Sequence, residues 1–189
     1  MTHDGNETTR RINSTRSGVV SALFHDADKA DEAFRRAREI GLGDDRISIL
    51  MSEQARNEYF PREVVEVHNE RRTLEGTGVG SAVGLTAGAI AGAIAAVGTV
   101  VALPGFGLVV AGPLAAAIAG AGAGGVAGGV LGALVGTGLS KERAEIYRTT
   151  IEEGGIVLVA RPLDDAEAKK LESEWKDVGG SEVFRSPAS

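Results

Sequence analysis

The sequence predicts an α+β domain interrupted by a long helical insertion. Short apolar runs rich in β-branched residues alternate with charged segments whose apolar residues fall three and four apart. These segments form two groups, one towards each end of the 189-residue chain. Between them, 65 residues from Gly76 to Ser140 carry no charge, and 19 of the 27 glycines fall in that block.

The elements follow in order. Gly18–Phe24, "GVVSALF", reads as a buried strand. Asp26 can cap a helix whose apolar positions are Ala27, Ala30, Phe34, Ala37 and Ile40. Gly41 sits where that helix would stop. After the turn "GLGDD", Arg46–Met51 reads as a second strand. Past the block, Ser140 can cap a helix with Ala144, Tyr147 and Ile151 on one face, closed by Gly154 and Gly155. Ile156–Ala160 is a β-branched strand. Asp164 opens a helix carrying Ala168, Leu171, Trp175 and Val178, and Ser181–Phe184 reads as a weak last strand.

With the middle removed, two strand–helix–strand units remain. Two right-handed βαβ units of this size pair as a ferredoxin-like βαββαβ domain. The expected organisation is a disordered tail over 1–16, a split domain from 17–51 plus 141–185, a charged connector over 52–75 and a glycine-zipper hairpin over 76–140. Within the connector, a short helix is expected to break at Pro61.

Inside the block, glycine recurs every fourth residue at Gly76, Gly80, Gly84, Gly88 and Gly92. Small residues recur again at Gly112, Ala116, Gly120, Gly124, Gly128, Gly132, Gly136 and Ser140. Five interior glycines cost a helix about 3–5 kcal/mol relative to alanine, so close packing must offset the loss. A stripe without side chains lets another helix approach closely. Gly80, Gly84, Gly88, Gly92, Gly120, Gly124, Gly128, Gly132 and Gly136 are therefore the expected helix-packing and oligomer-contact residues. Pro104, Gly105 and Gly107 are read as the turn between two helices of the hairpin.

Two environments suit such a hairpin. A helix of about 24 residues is about 36 Å long, enough for a hydrocarbon core of about 30 Å. Arg71, Arg72, Lys141 and Arg143 would flank it on the cytoplasmic side of an inner membrane, with an uncharged turn across it. Its modest hydropathy leaves insertion of one such helix marginal, so assembly with copies of itself is expected. The alternative is a soluble oligomeric binding or sensing module, with the hairpin packed in protein.

The stretches "DDRISILMSEQARNEYF", "LEGTGVGSAVGLTAGAIAG", "ALPGFGLVVAGPLAAAIAGAGAGG" and "AEIYRTTIEEGGIVLVA" resemble a family of bacterial general stress proteins, induced by heat or low temperature. The likeness spans about residues 18–185. It implies a small α/β domain split by a glycine zipper, a stress-linked role and no established enzyme activity. The chain departs from that pattern at "HNERRTLEG", around His68.

Chemistry is sparse. A net charge of −6 argues against phosphate-rich partners, so no nucleic acid is expected. The absence of cysteine removes disulfides, thiolate zinc sites and a cysteine nucleophile. "GAGAGG" matches a dinucleotide fingerprint at Gly120, Gly122 and Gly125, but no strand precedes it. His3, His25 and His68 are far apart, and a metal would need His25 to meet His68 and Glu66. No cofactor, metal or catalytic residue is assigned.

Overall fold

A computed structural model of the chain describes residues 18–60, 90, 92, 100–103, 107–120 and 129–186. Its elements are β1 (Val20–Phe24), α1 (Ala27–Ile40), β2 (Ile47–Ser52), α2 (Glu53–Tyr59), β3 (Val100–Leu103), β4 (Leu108–Ala111), α3 (Pro113–Gly120), α4 (Gly129–Gly136), α5 (Lys141–Glu152), β5 (Ile156–Ala160), α6 (Asp165–Asp177) and β6 (Ser181–Arg185). The fold is mixed α/β around one antiparallel sheet, in the order β3-β4-β2-β5-β1-β6.

The capping residues are those the sequence suggests. Asp26 Oδ1 accepts from Lys29 N at 3.0 Å, and Asp164 Oδ1 from Glu167 N at 2.8 Å. Ser140 Oγ accepts from Arg143 N at 3.3 Å. Each satisfies an amide that the first helical turn leaves unpaired. Gly41 ends α1 in the left-handed region, with Leu42 N donating to Ala37 O and Gly41 N to Arg38 O. That is the Schellman arrangement glycine favours.

Every residue of β1, β2, β4 and β5 is buried. Continuous apolar runs of this kind belong to strands covered on both faces. Alternation along each strand divides them. Val20, Ala22 and Phe24, with Ile47, Ile49, Met51, Val109, Ala111, Ile156, Leu158 and Ala160, face one layer. That layer is α1 and α6, through Ala30, Ala33, Phe34, Ala37, Ala168, Leu171 and Trp175. Trp175 Nε1 donates to Ala33 O at 3.0 Å, and its ring meets Phe24 edge-on at 6.4 Å. Leu23, Leu50, Leu108, Val110, Val157 and Val159 face the opposite layer. There they meet α3, α4 and α5 through Leu114, Ala115, Ile118, Leu134, Tyr147 and Ile151.

This second layer corrects the expected hairpin. The middle of the uncharged block is not a bare turn between two helices. Val100–Leu103 and Leu108–Ala111 pair with each other, and β4 pairs with β2 from Ile49↔Ala111 to Ser52↔Leu108. The physical reason is the valine content on either side of Pro104–Gly105. Val100, Val101, Val109 and Val110 favour a pleated surface, and β2 offers its edge to one. The block thus extends the sheet and then returns as helices across one face. Of the connector, α2 is a helix over Glu53–Tyr59 capped by Ser52, whose Oγ accepts from Ala55 N at 3.0 Å. The expected tail and the connector from Pro61 onwards lie outside the described residues.

Candidate assembly surface

Four backbone events fix the glycine-rich block to the domain. Glu53 N donates to Gly107 O at 2.7 Å, closing the hairpin tip onto the start of α2. Next, β4 joins the edge of β2. At Gly112 the chain turns with φ +88°, and an added Cβ would lie 2.4 Å from Ile47 O. Only glycine allows so close an approach in that conformation. Immediately after it, Leu114 N donates to the buried Ser48 Oγ at 3.1 Å, satisfying an amide in the first turn of α3.

The block also reaches the other face of the sheet. Ile90 is fully buried among the α1–α6 core residues, and its N–H donates to Asp31 Oδ1 on α1 at 2.9 Å. Ile90 and Gly92 are both helical. An acidic side chain accepting from a helical amide is the same chemistry as a cap.

The predicted contact glycines divide as follows. Gly92 is buried, and Gly120 closes α3. Gly80, Gly84, Gly88, Gly124 and Gly128 lie outside the described residues. Gly132 and Gly136 sit one turn apart on α4, both exposed, and an added Cβ at either meets nothing within 4 Å among the described residues. Leu134, between them, points the other way and is fully buried. Ala116 and Ala117 of α3 are exposed as well. Among the described residues, the outer surface of α3 and α4 is therefore uncharged and built of small residues, whereas α5 beside them is charged.

The basic flanks behave differently from one another. Arg71 and Arg72 lie outside the described residues, and Lys141 is exposed. Arg143 is already engaged: Nη1 sits 3.1 Å from Glu182 Oε2, and its guanidinium lies 4.2 Å over the Phe184 ring. It ties α5 to the edge strand β6, a role that spacing alone does not reveal.

Beside it, the Tyr147 hydroxyl donates to Glu182 O at 2.8 Å and lies 2.9 Å from Ser21 Oγ. Ser21 is fully buried, and the β1–β6 register shifts between Ser21 and Leu23. Burial pushes the Tyr147 phenol above its ordinary value, outweighing the Ser21 contact. A raised phenol retains its proton when the unfolded chain has lost it. Its contribution is thus complete below about pH 10 and declines as pH rises through the folded value. Urea unfolding across that range should show the decline, and a smaller one in Tyr147→Phe. The variant should cost about 1–3 kcal/mol at neutral pH, since Glu182 O loses its buried donor.

Ser21, Asp31 and Ser48 are functional contacts that the sequence reading missed. The available signal was a polar residue interrupting an apolar strand or facing an apolar helix. At the far end of the sheet, His25, Glu58, Glu152 and Glu153 border an open cleft with Ser52, Gln54 and Tyr59. Among the described residues, no three His, Asp or Glu side chains gather closely enough to hold a metal ion. His68 and Glu66 lie outside them. Among the described residues, no helix is long and apolar enough to cross a membrane. Compared with known protein families, curated proteins and solved structures, the chain finds no match in any of the three.

Proposed function

We propose that this chain is a non-enzymatic assembly module whose glycine-rich block is packed in protein and joins copies of the chain through its open face. The observation that carries this reading is the pair Gly132 and Gly136. Each costs α4 about 0.8–1.0 kcal/mol relative to alanine. Among the described residues neither makes room for an intrachain neighbour, because a Cβ at either would meet none of them within 4 Å. A second copy pressed against this side-chain-free surface offsets the cost. The domain beneath is ferredoxin-like, supported by the order β2-β5-β1-β6 with α1 and α6 on one face. Its role is stress-linked, on the sequence resemblance alone.

Light scattering on the full chain in detergent-free buffer tests the reading. The wild type should run at a multiple of 19.4 kDa. Gly132→Leu/Gly136→Leu should run at the single-chain mass and unfold at higher temperature when dilute, since leucine is the better helix former. A wild type at the single-chain mass, or a variant that keeps the larger one, would refute it.

A second reading is favoured by the uncharged run Gly76–Ser140. In it the block associates with the cytoplasmic face of an inner membrane, flanked by Arg71, Arg72 and Lys141. Recovery of the protein with the membrane pellet, released only by detergent, would support it over the first.

A further inference from the structure

We draw no further inference here: the strongest candidate, the acidic cleft of about 190 Å³ bordered by His25, Glu58, Glu152 and Glu153 at the end of β1 and α5, is a cluster of carboxylates in which no bound group and no buried, unpartnered side chain points to a ligand.

Discussion

Replacing Ile90 with alanine is expected to destabilise the whole domain by about 2–5 kcal/mol. The expectation is unusual for a residue from a glycine-rich, uncharged insertion. It follows from position: Ile90 is 0% exposed and shares its core with Phe34 and Trp175. Truncation removes apolar contact and leaves a cavity that α1 and α6 cannot easily close, because both are tied to the sheet. Trp175 is the chain's one tryptophan and is fully buried, so its fluorescence follows unfolding in urea without an added probe. Were the block separate from the domain, Ile90→Ala would shift the midpoint by no more than a surface substitution does, within about 0.5 kcal/mol. Asp31→Ala should reproduce part of the loss, about 0.5–2 kcal/mol, by leaving the Ile90 amide without its acceptor.

Gly112→Val should be comparably severe, at about 3–5 kcal/mol. Two costs combine there. Valine at φ +88° is a strained, β-branched residue in the left-handed region. Its Cβ would also lie 2.4 Å from Ile47 O and 3.1 Å from Ser48 Cα, both backbone atoms that cannot swing aside. Relief requires β4 to lift from β2, which would also break the Ser48–Leu114 hydrogen bond. Gly132→Ala is the control. It changes the same residue type in the same block, yet has open space and helical backbone, and should raise the stability of the isolated chain by about 0.5–1 kcal/mol. Urea titrations of the two variants should move in opposite directions. Equal effects would mean that Gly112 does not sit against β2.

Asp26, Ser140 and Asp164 marked helix starts because a side-chain acceptor beside a free amide is a local matter, independent of the rest of the fold. Ile156–Ala160 and Gly18–Phe24 marked buried strands because nothing polar but Ser21 interrupts them. The β3–β4 pair was hidden in plain composition. Val100–Leu103 and Leu108–Ala111 are four-residue apolar runs, and a run that short suits a strand or part of a buried helix equally well. Glycine at a period of four points to helix on either side of "ALPGFGLVVAGP", which leaves Leu108–Ala111 in the expected turn. The valines around Pro104–Gly105 were the signal that argued otherwise. Nor could spacing show that α5 lies across the opposite face from α1 and α6, since that depends on long-range strand order. Arg143 shows the same limit: it reads as a flanking charge in one dimension and as a brace on Glu182 and Phe184 in three.

The described part of the uncharged block belongs to this domain, with β4 laid along β2. A chain without cysteine allows a clean test, because any disulfide must come from introduced residues. Met51 and Val109 are direct cross-strand partners in that pairing. Antiparallel partners place Cα atoms about 4.5–5.5 Å apart, within reach of a disulfide. The measurement is a free-thiol count on full-length Met51→Cys/Val109→Cys after mild oxidation and denaturation. With β4 paired to β2, no free thiols remain and the chain runs at unchanged single-chain mass on a non-reducing gel. Two free thiols, or a bond only between chains, would contradict it.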